Sequence, residues 1–208
     1  MLVRNATVEP PVPKNEPVLT YAPHSPERAA LKAKLDEIAG TIVDIPLVIG
    51  GERVTTRDTG TVTMPHDSRH RLATFCRADA ATVGRAVNAA RKAWPEWSRM
   101  PWPARAAIFL RAAQLLAGKY RFAMNAATML GQSKTPHQAE IDAACELVDF
   151  WRFNVHFAAR LYGEQPESAA GTWNATELRP LEGFVFAITP FNFTSIAGNL
   201  TTAPALMG

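Results

Sequence analysis

The spacing of hydrophobic residues predicts an extended arm and then a helix at the start of the chain. Five prolines fall between residues 1 and 24, and since each proline fixes its own φ, this stretch is predicted to be extended. Ser25 can cap a helix that has Pro26 at its first position, and Gly40 is typical of a helix end. We therefore expect a helix over 26–39.

Between residues 45 and 76 the hydrophobic period changes to two, which is typical of strands. Residues 47–49 and 53–54 flank Gly50-Gly51, the pattern of a hairpin with a glycine turn. Two more short strands are predicted at 61–64 and 72–76, and a turn is predicted between them at 65–68.

Four helices are predicted next from apolar residues spaced three and four apart. The first begins at Asp79 and is expected to end at Pro95, and the next two are expected to end at Gly118 and Gly131. The fourth begins at Thr135-Pro136-His137-Gln138, which combines a capping box with proline at the first helical position. It is predicted to run to Tyr162, with a buried stripe of Ile141, Ala144, Cys145, Val148, Trp151 or Arg152, and Val155.

The last part of the chain has the pattern of a sheet that binds a ligand. The run Phe184 to Ile188 lies between Gly183 and Pro190, which fits a strand buried on both faces of a parallel sheet. Thr194 or Ser195 can then cap the final helix. Open α/β sheets bind ligands where a strand ends and a helix begins. Because a crossover helix must return to a second parallel strand, we expect the front part of a longer α/β protein.

Composition and charge exclude several classes of protein. The 208 residues are 47% hydrophobic and 20% charged, as in soluble globular domains. The formal net charge is +3, but the basic residues are scattered, which argues against nucleic-acid binding. No stretch reaches the roughly 18 apolar residues of a membrane helix. Residues 1–17 lack the pattern of a signal or transit peptide, so a cytoplasmic location is expected.

Residue patterns give no support for a metal or for a cysteine nucleophile within the chain. Cys76 lies in a predicted strand and Cys145 in a predicted helix interior, so both are expected to be packing residues. The five histidines have no metal-ligand spacing, and no metal is expected. The usual glycine fingerprints of dinucleotide and P-loop sites are also missing from the sequence.

Two positions carry candidate chemistry. The Asn192 amide can donate hydrogen bonds to an oxyanion without titrating, and the alternative is a turn or cap role. Glu146 belongs to an acidic helix stripe with Asp142 and Asp149, near three phenylalanines of the same helix. A carboxylate beside aromatic rings suits an ammonium ligand. The alternative is a solvated helix face on which Glu146 or a neighbour pairs with Arg152.

Five segments of the chain resemble a known enzyme family. ITPFNF at 188–193 and GNLTTAPALMG at 198–208 are similar to the cofactor-domain entry of the aldehyde dehydrogenase superfamily. GQSKT at 131–135, EIDAACELVDFWRFN at 140–154 and EPVLTYAPHSPERAAL at 16–31 narrow the resemblance. Together they resemble the L-glutamate γ-semialdehyde (Δ1-pyrroline-5-carboxylate) dehydrogenase family from residue 16 to residue 208.

The resemblance implies an α/β fold that is the N-terminal part of an aldehyde dehydrogenase. Helices, β-hairpins and the first strand–helix unit of a Rossmann-like cofactor domain would be present, with an incomplete sheet. Residues 1–24 would form the extended arm, while 25–163 and 182–208 would belong to the NAD-binding domain. Residues 164–181, with a predicted strand at 175–179, would belong to an oligomerisation arm. The catalytic domain would be absent.

The resemblance also implies oxidation of glutamate semialdehyde to glutamate with NAD, in proline catabolism, by a homo-oligomer. Asn192 would stabilise the oxyanion, Glu146 would lie near the substrate's amino group, and Phe150 would form an aromatic wall. The positions implied on the nicotinamide side are Ile188, Thr189, Pro190 and Phe191. The family's cysteine nucleophile and general-base glutamate would lie beyond Gly208, so this polypeptide is expected to be inactive alone.

Two other interpretations remain open at the level of sequence. The chain could be a non-catalytic helical module that binds a partner through an unfinished sheet edge, which predicts a soluble monomer or a defined complex. It could also be an aldehyde dehydrogenase of different substrate specificity, for which Glu146 would not matter to binding of glutamate semialdehyde.

Overall fold

The computed structural model describes residues 8–208, so the first seven residues of the predicted arm lie outside it. Residues 8–24 contain neither helix nor strand, as an extended arm requires. The elements that follow are α1 (Pro26–Ala39), β1 (Val43–Ile45), β2 (Leu47–Ile49), β3 (Glu52–Val54), β4 (Thr59–Met64), β5 (Asp67–Cys76), α2 (Ala80–Arg99), α3 (Trp102–Ala117), α4 (Arg121–Gln132), α5 (Pro136–Ala139), a π-helical segment (Glu140–Cys145), α6 (Glu146–Gly163) and α7 (Thr194–Met207).

The strands form two small sheets in the described part of the chain. Strands β2 and β3 pair antiparallel around Gly50-Gly51, whose φ angles of 60° and 84° suit glycine, so the predicted hairpin is confirmed. The second sheet has the order β1-β5-β4, with β1 parallel and β4 antiparallel to β5. Strand β5 begins at Asp67, which makes the turn shorter than predicted.

Two predicted helix starts are confirmed by their caps. The Ser25 hydroxyl accepts a hydrogen bond from the Arg28 N–H (3.3 Å) at the start of α1. The Thr135 hydroxyl accepts from the Gln138 N–H, and the Gln138 side chain accepts from the Thr135 N–H (3.0 Å), which completes a capping box.

Helix α2 continues past Pro95, so its predicted end is wrong. Proline removes one helical N–H and crowds the preceding turn, yet the helix continues for another turn. Two indoles hold this end in place. Trp94 donates to the Leu181 carbonyl, and Trp97 donates to the Ala205 carbonyl (2.7 Å). These tertiary bonds offset the local cost of the proline.

The long helix predicted from Pro136 forms, but a π-helical segment interrupts it at Glu140–Cys145. A π turn inserts an extra residue and changes the register of the faces on either side of it. Ile141, predicted to be buried, is therefore 41% exposed. The remaining predicted stripe consists of buried Ala144, Cys145, Val148 and Val155, with half-buried Trp151 and Arg152.

The predicted strand Phe184–Ile188 does not form a ladder, and it is not buried on both faces. Phe186 and Ile188 are 77% and 78% exposed. No neighbouring strand lies beside this run among residues 8–208, and a strand exists only through its partners. The predicted strand at 175–179 is also unpaired there. Instead, the Gln165 amide accepts from the Thr176 N–H (2.8 Å) and donates to its carbonyl (3.2 Å).

The main core lies between α3, α6 and α7, where buried apolar side chains from all three helices meet. Its members are Ala106, Phe109, Val155, Ala158 and Leu206. A second cluster joins α1 and α4 to the arm through Tyr21, Leu31 and Ala126. Across residues 8–208, no helix has both the length and the apolar character needed to cross a membrane.

A buried ionic network fixes the arm to the helices. The Glu140 carboxylate is fully buried and accepts hydrogen bonds from the Leu19 N–H (2.8 Å), the Tyr21 hydroxyl (2.6 Å) and the Asn125 amide (2.6 Å). It also pairs with Arg121. Burial opposes its charge, but the bonds from Arg121, Tyr21 and Leu19 outweigh burial and lower its pKa. The carboxylate is thus charged and fully partnered.

Arg121 extends this network to the arm. Its guanidinium group donates to the Glu16 carboxylate (2.5 Å) and the Pro17 carbonyl (2.6 Å). The second oxygen of Glu16 accepts from Arg152 of α6 (2.7 Å). The arm therefore bridges α4, the π-helical segment and α6 through charged groups that are shielded from water.

We predict that Glu140→Gln lowers the free energy of unfolding by about 3 kcal/mol, because it leaves the buried Arg121 guanidinium without its main counter-charge. Urea unfolding monitored by circular dichroism would measure this change. The matched control is Glu37→Gln, which breaks the exposed Lys34–Glu37 pair and should cost less than about 0.5 kcal/mol. Equal effects of the two substitutions would contradict a special role for the buried network.

Candidate functional site

Helix α7 is anchored to the π-helical segment at its first turn. The Ser195 side chain is fully buried and donates to the Ala143 carbonyl. The Thr194 hydroxyl pairs with the Thr128 hydroxyl of α4 (2.8 Å). The prediction that Thr194 or Ser195 caps α7 is wrong, because Phe193 occupies the cap position and makes no side-chain hydrogen bond there. Their hydroxyls satisfy tertiary partners instead, and so fix where α7 begins.

The predicted cofactor and oxyanion residues lie in the loop that leads into α7. Ile188 and Phe191 are 78% and 95% exposed, Thr189 and Asn192 are exposed, and Pro190 is half-buried. The Phe191 carbonyl accepts from the Gln132 amide of α4 (3.3 Å). In the described part of the chain, the Asn192 side chain makes no hydrogen bond. Its amide is thus free to donate to a ligand. Asn192 does lie in a turn, as the alternative predicts, but it does not cap α7.

Glu146 lies at the first residue of α6, directly after the π-helical segment. One of its carboxylate oxygens, Oε2, is buried without a hydrogen-bond partner in residues 8–208. Burial raises the pKa of Glu146, and the nearby Asp142 carboxylate raises it further, while Lys134 opposes the shift. Phe150 lies one helical turn further along the same face and is half-buried. A partly buried carboxylate with an open acceptor beside an aromatic ring can bind an ammonium group.

Lys134 is a residue of this site that sequence reasoning missed. Its ammonium group pairs with Asp142 (2.7 Å) and lies 4.2 Å from the centroid of the Phe193 ring. It therefore touches the acidic helix that carries Glu146 on one side and the loop that carries Asn192 on the other. The available signal was its place in the GQSKT segment, but only the fold shows what its side chain contacts.

The rest of the acidic stripe serves the arm instead of the site. Asp149 accepts from the Asn15 amide (2.8 Å) and from the Glu16 N–H (2.7 Å). Arg152 pairs with Glu16, so the alternative in which the stripe is a solvated face neutralised by Arg152 is wrong. Within this stripe, Asp142 pairs with Lys134, and the charge of Lys134 also acts on the pKa of Glu146 by lowering it.

Neither cysteine has the surroundings of a nucleophile. Burial and the Glu140 carboxylate raise the pKa of Cys145 to about 12, so its thiol stays protonated at neutral pH. The Cys76 sulfur accepts from the Thr56 N–H (3.4 Å) at a strand end. The predicted packing role agrees with both environments. In the described chain no group of three His, Cys, Asp or Glu side chains is placed to hold a metal ion.

A family model described as "Aldehyde dehydrogenase family" matches residues 54–208, which is most of the chain. The chain belongs to this family. The match confirms the predicted fold class, and it favours an enzyme over a separate partner-binding module. The incomplete sheet and exposed loop described above are thus the N-terminal part of a known fold.

Several curated proteins that are similar to this chain share the name delta-1-pyrroline-5-carboxylate dehydrogenase. The chain is 51% identical over 205 residues to delta-1-pyrroline-5-carboxylate dehydrogenase of Agaricus bisporus and 52% identical over 194 residues to the mitochondrial protein of Bos taurus. These matches cover 98% and 93% of this chain but 38% and 34% of the relatives. The chain therefore spans little more than a third of the length of the curated relatives it matches.

Solved structures agree with these relatives. The crystal structure of the Mycobacterium tuberculosis enzyme, bound with NAD, superposes with a TM-score of 0.97 at 54% identity, over 99% of this chain and 38% of that one. A 1-pyrroline-5-carboxylate dehydrogenase from Thermus, also with bound NAD, gives a TM-score of 0.78 at 26% identity, over 98% and 39%.

We predict that Asn192→Ala leaves the free energy of unfolding unchanged, because this side chain has no partner to lose in the described structure. Ser195→Ala should lower it by about 1 to 3 kcal/mol, since the Ala143 carbonyl loses a buried donor. Chemical denaturation of both variants would measure the difference. A destabilised Asn192→Ala variant would mean that the amide supports the loop and is not free for a ligand.

Proposed function

We propose that this chain supplies the N-terminal part of an NAD-dependent L-glutamate γ-semialdehyde dehydrogenase, which oxidises glutamate semialdehyde to glutamate in proline catabolism. The observation that carries the proposal is that the Asn192 amide and one Glu146 oxygen have no hydrogen-bond partner within residues 8–208. Lys134 contacts the loop of Asn192 through Phe193 and the acidic helix of Glu146 through Asp142. One group can hold an oxyanion and the other an ammonium, and the substrate has both an aldehyde oxygen and an amino group.

The oxyanion role follows from the chemistry of an aldehyde. Attack on the carbonyl carbon turns the oxygen into an anion, and a fixed amide donor stabilises that anion more than it stabilises the neutral carbonyl. Asn192 provides such a donor without a charge of its own. Pro190, which restricts φ two residues earlier, limits the freedom of the loop that presents this amide. The attacking thiolate and the general base would come from the part of the relatives' length that this chain does not span.

The loop before Asn192 suits a nicotinamide ring. Ile188 and Phe191 expose large apolar side chains, and the first turn of α7 follows at once. A flat, partly apolar ring needs such a surface, and NAD, when bound, accepts the hydride of the aldehyde carbon. The NAD in the structures of the M. tuberculosis and Thermus proteins supports NAD as the cofactor. We include Thr189 and Pro190 in this surface.

The choice of substrate would depend on Glu146 and Phe150. The open acceptor of Glu146 lies in a partly buried setting, where a charge-assisted hydrogen bond to an ammonium is stronger than in water. The relatives' shared name supports the semialdehyde over other aldehydes. An aldehyde dehydrogenase of other specificity is the alternative, and it differs from the proposal in giving Glu146 no role in binding.

We also propose that the full-length enzyme is a homo-oligomer. Residues 164–181 belong to no strand ladder among residues 8–208, and Trp173 is 92% exposed on this stretch. An exposed tryptophan on a stretch outside any sheet is suited to contact with another subunit. The assignment of this stretch to an oligomerisation arm and the cytoplasmic location stay predictions.

We predict that the 208-residue chain alone reduces no NAD with glutamate semialdehyde, whereas a chimera does so when this chain replaces the matching residues of the M. tuberculosis enzyme. In that chimera, Asn192→Ala should lower kcat roughly 100-fold, the usual cost of one oxyanion donor. Absorbance of NADH would measure both rates.

The control for Asn192→Ala is Asn88→Ala, which removes an exposed asparagine from α2. It should leave kcat unchanged. A folded chimera without activity, or equal rates for the two variants, would contradict the proposed function.

We also predict that Glu146→Gln in the chimera lowers kcat/KM for glutamate semialdehyde about tenfold, because a charged partner of the ammonium is lost at a cost near 1.4 kcal/mol. Propanal, which has no amino group, should be oxidised equally well by both forms. Steady-state kinetics with the two aldehydes would test this. An equal loss for both aldehydes would point to a general defect, and no loss for either would favour the alternative specificity.

A further inference from the structure

Lys134 is held in a short turn whose backbone is fixed on both sides. Helix α4 runs to Gln132, one residue beyond the predicted end, because Ser133 takes a left-handed conformation with φ of 55° and ends it there. The capping box of Thr135 starts the next helix immediately afterwards. The side chain of Lys134 is only 15% exposed, although lysine normally keeps its ammonium group in water.

Two neighbours compensate for this burial. The Asp142 carboxylate of the π-helical segment accepts from the Lys134 ammonium at 2.7 Å. The same ammonium lies over the Phe193 ring, with its nitrogen 4.2 Å from the ring centroid. At this distance the face of the ring attracts a cation. The ammonium is thus the contact that joins the acidic helix to the loop before α7.

We infer that Lys134 is a positioning residue of the proposed site. By binding Asp142 and Phe193 together, it fixes the position of the helix that carries Glu146 relative to the loop that carries Asn192. The catalytic part of this inference rests on the proposed function. The contacts of Lys134 with Asp142 and Phe193 are present in this chain whatever its function. Lys134 acts through Glu146 and Asn192, since its own ammonium group is already engaged by Asp142 and Phe193.

The charges around Glu146 give the direction of the effect. Burial and Asp142 raise its pKa, and Lys134 is the cation that opposes them. Without Lys134 the pKa of Glu146 should rise further, so a larger fraction of Glu146 would be protonated at a given pH within its titration range. A protonated Glu146 cannot pair with an ammonium group. Substrate affinity should therefore fall as pH decreases through the pKa of Glu146, and in Lys134→Met this loss should begin at higher pH.

The first test uses the 208-residue chain and needs no activity. Carbon-13 NMR of labelled glutamate, assigned with Glu146→Gln, would follow the titration of Glu146, and backbone amide spectra would follow Asn192. Lys134→Met should raise the pKa of Glu146 and shift the Asn192 amide signal, while Lys134→Arg should keep both close to the parent chain.

Two further variants separate charge from position. Phe193→Leu removes the ring but keeps the ion pair, so it should shift the Asn192 signal and leave the pKa of Glu146 unchanged. Lys119→Met is the matched control, because Lys119 also lies over an aromatic ring, that of Tyr120 at 5.1 Å, but is exposed on a different surface. It should change neither signal. Unchanged Glu146 and Asn192 signals in folded Lys134→Met would overturn the inference.

The second test uses the chimera. Lys134→Met should lower kcat/KM for glutamate semialdehyde roughly tenfold or more, as small displacements of a site do, and should move the acid limb of its pH profile to higher pH. Lys134→Arg should restore most of the rate. A loss of rate without a shift of the acid limb would reduce Lys134 to a structural residue and reject the inference.

The two proposals fail in different ways. An inactive parent chimera would reject the proposed function, while the NMR titration would still decide whether Lys134 controls Glu146 and the Asn192 loop. An active chimera in which Lys134→Met behaves like Lys119→Met would reject the positioning role alone.

Discussion

The buried carboxylate of Glu140 is the constraint on which the rest of the structure depends. A fully buried charge is tolerable only when its hydrogen bonds are complete. Completing them requires Leu19 and Tyr21 from the arm and Arg121 and Asn125 from α4. The arm, which has no helix or strand of its own in the described residues, is thus ordered by charge and hydrogen bonding to a helix far from it in sequence.

The same residue sets the geometry of the candidate site, because it is the first residue of the π-helical segment. Fixing Glu140 fixes the wide turn that follows, and that turn presents Asp142 to Lys134 and the Ala143 carbonyl to Ser195. Helix α6 then begins at Glu146. The position of Glu146 at the start of α6 therefore depends on the buried ion network that holds Glu140.

Local signals in the sequence were sufficient wherever a few neighbouring residues decide the structure. The Ser25 and Thr135 caps and the Gly50-Gly51 hairpin involve contacts between residues close in sequence, the farthest being Leu47 with Val54, and each was predicted correctly. Pro95 was misjudged because its local cost is offset by two indole bonds to residues about 90 to 110 positions away. No pattern within α2 reveals those partners.

The site was predicted only in part for the same reason. The chemistry of Asn192 and Glu146 followed from residue type and from the family resemblance, but the π turn has no sequence signature, and it decides which side chains share a face. Lys134 was overlooked because a lysine in a polar turn normally points into water. Only the placement of Asp142 and Phe193 around it explains why it does not.

The two halves of the site differ in how firmly this chain holds them. Glu146 lies on a helix in which the adjacent residues Cys145 and Leu147 are buried. The Glu140 network fixes the segment that precedes this helix. Asn192 lies on an exposed loop after an apolar run, 184–188, that has strand composition but no partner among the described residues. A run of this kind becomes rigid only when another strand pairs with it. The proposed amino-group site at Glu146 is therefore preorganised in this chain, whereas the proposed oxyanion site at Asn192 depends on Lys134 and Gln132 until that pairing is made.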